Sequence, residues 1–326
     1  MSEAKAGDDR SAQRQLPDFA SLNPGYDIGY LMTPVVAVIA PGMMGAAVGK
    51  RLVDNGLKVL TSLKGRSQET ADRAGAAGLI AASDEEIAAS DYILSILPPG
   101  DAVSLAERFV PALKAANAKP IYVDCNAINP VTVERVAAAI APTDCPFVDA
   151  GIIGSPPTPL PNPPPQAAEG RVGGSPRFYA SGPSAPRFAT LRQYGLDIRV
   201  LDGPLSTASA LKMSYAGITK GTQAIGAAMM LAASRAGTAD ALFAELSSSQ
   251  KEMLAWFKRG LTLMPPKAYR WIAEMHEIAG FVGEDPSAHE LYEGAAHFYE
   301  HIAEDFESGK TDVAALARFL DKRASG

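Results

Sequence analysis

Short apolar runs rich in β-branched residues recur along the first two thirds of the chain, and apolar positions at helical spacing lie between them. The runs at Val35 to Ile39, Lys58 to Ser62, Tyr92 to Leu97, Ile121 to Cys125 and Phe147 to Ile152 predict strands, with a short one around Leu79. Helical patterns run from near Met43 through Leu52, through Ala74, from Val103 to Ala116 and from Val131 to Ala141. Strands alternating with helices of this length imply a mostly parallel, doubly wound sheet with right-handed crossovers. Two more strands are expected at Arg177 to Ser181 and Asp197 to Leu201. From Leu205 onward the pattern is helical. The stretch LSTASALKMSYAGITKGTQAIGAAMMLAASRAG is apolar on most faces, which predicts a long buried helix. Further helices are expected around Ala239 to Leu261, Pro266 to Val282, Ser287 to Ser308 and Val313 to Ala324. The expected organisation is a polar, mobile extension over 1–31, an α/β domain over 32–203 and an all-α domain over 204–326, joined by the long interdomain helix.

With 326 residues, 47% hydrophobic and 20% charged, the chain has the balance of a soluble globular protein of two domains. A net charge of −6 argues against a general nucleic-acid or anionic-membrane partner. Cys125 and Cys145 sit in apolar segments without metal spacing, so buried free thiols in a reducing compartment are expected. No apolar run reaches the roughly 18 residues of a membrane helix, and the opening MSEAKAGDDRSAQRQLPDF has no signal-peptide centre. The expected location is the cytoplasm. The segment SPPTPLPNPPPQAAEG, whose prolines lack donors, is expected as a loop.

After the first predicted strand comes Ala40, Pro41, Gly42, Met43, Met44, Gly45. A Rossmann-type dinucleotide turn has glycine at the first, third and sixth of these positions; the first is alanine here. Gly42 lets backbone approach a pyrophosphate, and Gly45 allows the helix to pack closely on the strand. Helix N-terminal amides then face the phosphates. An NAD site calls for an acid at the end of the second strand, whereas a 2′-phosphate calls for bases and hydroxyls. The sequence there is TSLKGRSQET, with Ser62, Lys64, Arg66 and Ser67 and no acid before Glu69, so the expected cofactor is NADP(H).

These residues resemble the 6-phosphogluconate dehydrogenase and β-hydroxyacid dehydrogenase superfamily, closest to a poorly characterised branch with a distinctive helical C-terminal domain. The resemblance runs from Met32 to about Glu304. IAPGMMG resembles the cofactor turn, and ILPPGDAV, with Leu97, Pro98 and Val103, the loop under the nicotinamide ribose. VDCNAINP resembles the segment whose small polar residue, Asn126, touches the cofactor, and FVDAGIIGS, with Ile153, Gly154 and Ser155, the substrate-side loop. ALKMSYAGITKG resembles the interdomain helix with the catalytic lysine, which implies Lys212 as the proton-transfer residue. A lysine desolvated between domains loses its proton more readily, which suits that role.

The departures bear on the substrate. Ala216 stands where the family has asparagine, with Tyr215 beside it as an alternative hydroxyl or a packing residue. Thr219 stands where sugar-phosphate members carry a glutamate, which argues against 6-phosphogluconate, and Ile153 replaces a carboxylate-binding serine. Lys220 offers a second positive charge or reaches solvent. In YRWIAEMHEIAGF, Arg270 is placed to clamp a substrate carboxylate or to pair with Glu274 at i+4, with Trp271 on the adjoining face. His297 and His301 share a helical face but lack a third ligand in the pattern, so no metal is expected. The expected activity is hydride transfer between nicotinamide and a small hydroxy or carbonyl compound, in a homodimer, the family's helical domains packing against each other. An imine reductase and a non-enzymatic NADP-binding protein are the alternatives.

Overall fold

The computed structural model describes residues 33–157 and 176–322. The expectations for the N-terminal extension and for the proline-rich loop beyond Pro157 lie outside the described residues. The strands are β1 (Val35–Ile39), β2 (Lys58–Thr61), β3 (Ile80–Ala81), β4 (Tyr92–Ser95), β5 (Ile121–Asp124), β6 (Phe147–Ile153), β7 (Arg177–Ser181) and β8 (Asp197–Val200). They form one sheet in the order β3-β2-β1-β4-β5-β6-β7-β8, parallel except where β7 runs against β6. The connecting helices are α1 (Met43–Asp54), α2 (Gln68–Ala76), α3 (Asp84–Ala88), α4 (Ala102–Ala115), α5 (Pro130–Ile140) and α6 (Ala185–Phe188).

Alternation along the strands builds a core on each side of the sheet. Val36 and Val38 of β1 join one, with Val59, Val123 and Phe178, whereas Ala37 and Ile39 join the other, with Ile93, Phe109 and Tyr122. The sequence pattern missed α3, although its capping box is written in SDEE: Glu86 N–H donates to Ser83 Oγ and Ser83 N–H to the Glu86 carboxylate.

Beyond β8 every element is helical: α7 (Thr207–Ala216), a π turn (Gly217–Gly221), α8 (Thr222–Arg235), α9 (Ala239–Ser249), α10 (Lys251–Thr262), α11 (Ala268–Phe281), α12 (Pro286–Glu307) and α13 (Thr311–Leu320). Met213, Leu231, Phe257, Met275, Tyr299 and Phe319 share a third core. Gln250, at φ −137° and ψ 47°, divides the expected helix at Ala239 to Leu261 into α9 and α10.

The long segment over 207–235 departs from expectation twice. Its helix widens into the π turn, and it is not buried all round: Leu211 is 36% exposed, Tyr215 49%, Ile218 70%, Ile225 51% and Met229 59%, with Ile218, Ile225 and Met229 along one strip. Apolar composition on every side hid the strip, because no polar face marked it in the sequence.

Candidate active site

Strand order places the glycine turn between two neighbours, β1 and β4, whose crossovers leave in opposite directions along the sheet. Nucleotides bind in the crevice at such a switch point, beyond the carboxyl ends of the strands. Gly42 is the N-cap of α1 and supplies no side-chain cap, so the first amides of the helix have no internal partner. A Cβ on Gly42 would meet nothing within 4 Å, so the space in front of it is open. A Cβ on Gly45 would lie 2.1 Å from the Ala40 carbonyl oxygen, which fixes glycine there. Pro41 is buried, Met43 exposed, and Met44 packs partly against the sheet core.

The end of β2 is more occupied than the sequence implied. Ser62 is buried and its hydroxyl accepts from Arg108 Nη2 at 2.7 Å, while Arg108 Nε donates to Asp84 at 2.9 Å. Ser67 is the N-cap of α2 and accepts from Thr70 N–H. Lys64 and Arg66 are exposed. Of the four expected phosphate ligands, the two bases face outward and the two hydroxyls hold structure. Arg108, on α4, gave no local signal because it reaches Ser62 across 46 positions of sequence.

Asn126 also serves the protein itself. Its Oδ1 accepts from Leu97 N–H at 2.6 Å, and its Nδ2 donates to Ser95 Oγ at 2.9 Å and Asp124 at 3.0 Å. That ties the loop after β4, with buried Leu97, exposed Pro98 and half-buried Val103, to the end of β5. Burial pushes the Asp124 carboxyl up to about 7, against the hydrogen bonds from Asn126.

Lys212 reaches the end of β6, where its Nζ donates to the Ile152 carbonyl at 2.9 Å. Two contacts hold α7 there. A Cβ on Gly151 would come within 2.9 Å of Lys212 Cβ, so glycine allows the helix to lie directly on the strand. Asp149 accepts from Ser209 N–H at 2.8 Å and from Ser209 Oγ at 2.6 Å, fastening the start of the helix. Burial pushes Asp149 up to about 6 and lowers the Lys212 ammonium to about 8. The sequence signal for Asp124 and Asp149 was an acid inside an apolar strand, which needs partners when buried.

Helix α11 closes the other side. Glu277 accepts from Asn129 N–H at 2.8 Å and from Thr132 Oγ1 at 3.0 Å at the N-terminus of α5, where a carboxylate is favoured. One turn earlier, buried Glu274 touches Lys220 Nζ and stands 4.0 Å from Lys212 Nζ. The alternative pair between Glu274 and Arg270 does not form: Arg270 is exposed and donates to Tyr269 Oη at 2.8 Å. Trp271 lies under Lys220, its ring centre 5.0 Å from Nζ. Tyr215, three residues after Lys212 on α7, is 49% exposed, whereas Ala216 is buried. Ile153 is half-buried, and Gly154 and Ser155 are exposed at the end of β6. Among the described residues no group of three metal-binding side chains occurs, and His301 pairs with Asp312 at 2.8 Å.

A doubly wound sheet with a glycine turn at its switch point, followed by a lysine-bearing helix and a helical bundle, defines a dehydrogenase-type nucleotide-binding fold. Residues 35–160 match the NAD binding domain of 6-phosphogluconate dehydrogenase, and residues 233–302 match a domain of unknown function, DUF1932; the chain joins these two domains. An uncharacterised 28.5 kDa protein of Methanothermus fervidus is 27% identical over 196 residues, covering 60% of this chain and 69% of that protein. A solved conserved protein of unknown function, described as structurally similar to 3-hydroxyacid dehydrogenases, is 27% identical with a TM-score of 0.59, covering 86% of this chain and 99% of its own. The 3-hydroxyisobutyrate dehydrogenase of Mycobacterium tuberculosis shares the fold at 18% identity and a TM-score of 0.60, over 88% of this chain and 99% of its own.

Proposed function

We propose that the protein is an NADP(H)-dependent oxidoreductase acting on a small hydroxy or carbonyl compound, with Lys212 as general acid and base. The observation that carries this reading is a hydrogen-bonded lysine, its side chain only 15% exposed and its ammonium lowered by burial to about 8, at the carboxyl edge of the sheet. The turn fits a dinucleotide: there is open space before Gly42, uncapped amides begin α1, and its first turn holds no acid. Gly42, Met43, Met44 and Gly45 would hold the pyrophosphate, and Lys64 and Arg66 a 2′-phosphate. A bound nicotinamide supplies or accepts the hydride.

Lys212 takes the hydroxyl proton on oxidation and returns it on reduction, and the Ile152 carbonyl aims its Nζ. The loop held by Asn126 shapes the floor of the site. Ile153 and Ala216 make the substrate side more apolar than a pocket lined by serine and asparagine. Thr219, whose hydroxyl donates to the Tyr215 carbonyl at 2.8 Å, offers no acid for a sugar phosphate. Fluorescence titration of NADPH and NADH tests the cofactor assignment. NADPH is expected to bind about tenfold more tightly or better, a difference of about 1.4 kcal/mol, with the gap closing in a Lys64→Ala, Arg66→Ala variant. Preference for NADH, or no binding of either, contradicts it.

We also propose a homodimer in which a second copy covers the strip formed by Ile218, Ile225 and Met229. A cavity of about 220 Å³, lined by Ile218, Ile225, Leu291 and Tyr292, opens on the same strip and would receive a partner's side chain.

A further inference from the structure

Lys212 and Lys220 are eight residues apart, a separation that on a regular α-helix turns two side chains about 80° away from each other. The π turn at Gly217–Gly221 absorbs one residue, and the remaining seven bring Lys220 back to within about 20° of Lys212. Packing fixes the turn. A Cβ on Gly217 would lie 2.9 Å from Tyr292 Oη, one on Gly221 would lie 3.0 Å from Tyr292 Cε1, and Tyr299 Oη donates to the Lys220 carbonyl at 2.6 Å.

Two lysine side chains therefore face one carboxylate, and they approach it unequally. Lys220 Nζ is in direct contact with Glu274, whereas Lys212 Nζ is 4.0 Å away and hydrogen-bonds a backbone carbonyl instead. We propose that Lys220 is a positioning residue: by holding Glu274 it keeps that carboxylate from pairing off Lys212, which stays available for proton transfer. The consequence for turnover rests on Lys212 being the general acid and base, but the charge arrangement itself does not.

The other charged groups around Lys212 are engaged elsewhere. Asp149 of β6 is bonded to Ser209 and Ser181, and Glu277 of α11 to Asn129 and Thr132. Asp124 of β5 is bonded to Asn126, Arg177 of β7 pairs with Asp197, and Glu134 and Arg135 of α5 are exposed. Burial, and after it the charges of Lys212 and Lys267, hold the Lys220 ammonium well below its ordinary range. Removing Lys220 deletes a positive neighbour and releases the Glu274 charge toward Lys212, so both effects favour the ammonium. Removing the Glu274 charge does the reverse.

The test is an NMR titration of the full chain with isotope-labelled lysine side chains, Lys212 being identified as the resonance missing in Lys212→Met. From the wild-type midpoint of about 8, Lys220→Met is expected to move Lys212 upward, Glu274→Gln downward, and Lys220→Arg, which keeps the charge, to leave it in place. Loss of fold, which far-ultraviolet circular dichroism detects, removes Lys220→Met from the comparison; Glu274→Gln then decides. A Lys212 midpoint that is unmoved or raised in Glu274→Gln overturns the proposal, as does one unmoved or lowered in folded Lys220→Met. Because no substrate or cofactor enters the titration, it can fail while the oxidoreductase reading stands, and the converse also holds.

Discussion

Two glycines three positions apart in the first turn do different work, and single alanines separate them. At Gly45 the added Cβ would sit 2.1 Å from a carbonyl oxygen, so Gly45→Ala is expected to destabilise the fold by about 1–3 kcal/mol or more in urea unfolding. At Gly42 the Cβ meets nothing, so Gly42→Ala should keep stability within about 0.5 kcal/mol yet lose nucleotide affinity, since the methyl enters the space a phosphate needs. Equal stability losses would contradict this division. Lys212 also affects stability. Its folded-state value lies near 8 against 10.5, so its favourable contribution is present above 10.5 and is lost as pH falls through 8. Lys212→Met should therefore become progressively more stable than wild type as pH is lowered across that window, by about 1.4 kcal/mol per pH unit at most. A stability difference flat with pH would refute it. The two glycines were legible because each answers to a local rule, whereas Lys212 stood out only through the resemblance of its helix to a family segment. The partner of Glu274 was not legible: helical spacing offered Arg270, and a tertiary contact with Lys220 won.

At the scale of elements, the strands could be read from runs of apolar, β-branched residues, and periodicity marked five helical segments beyond β8, two of which the structure divides, at the π turn and at Gln250. The π turn could not be read, since it depends on Tyr292 arriving from α12 against Gly217 and Gly221. What sets α7 on the sheet is Asp149. Asp149→Ala leaves Ser209 N–H without its acceptor and is expected to cost about 1–3 kcal/mol, measurable by chemical unfolding. The same variant should loosen Lys212, so it is expected to lower turnover without weakening nucleotide binding at the turn after β1, three strands away in the sheet. Wild-type stability in Asp149→Ala would mean that the carboxylate does not anchor the helix.

For the whole molecule, the exposed strip on the π turn and α8 gives the oligomeric prediction. Sedimentation should show a dimer for wild type and a folded monomer for an Ile218→Glu, Ile225→Glu variant; a wild-type monomer contradicts the proposed assembly. The sequence concealed the strip because burial against the same chain and burial against a second copy demand the same side chains. The central claim joins the nucleotide turn to Lys212 in one reaction. It is tested most directly by measuring NADPH affinity and NADPH consumption on wild type and Lys212→Met with a panel of ketones, aldehydes, oxoacids and imines. The expected result is unchanged affinity and turnover reduced at least about 100-fold in Lys212→Met. Full turnover without the lysine, or a wild type that binds NADPH and consumes none of it across the panel, would contradict the account.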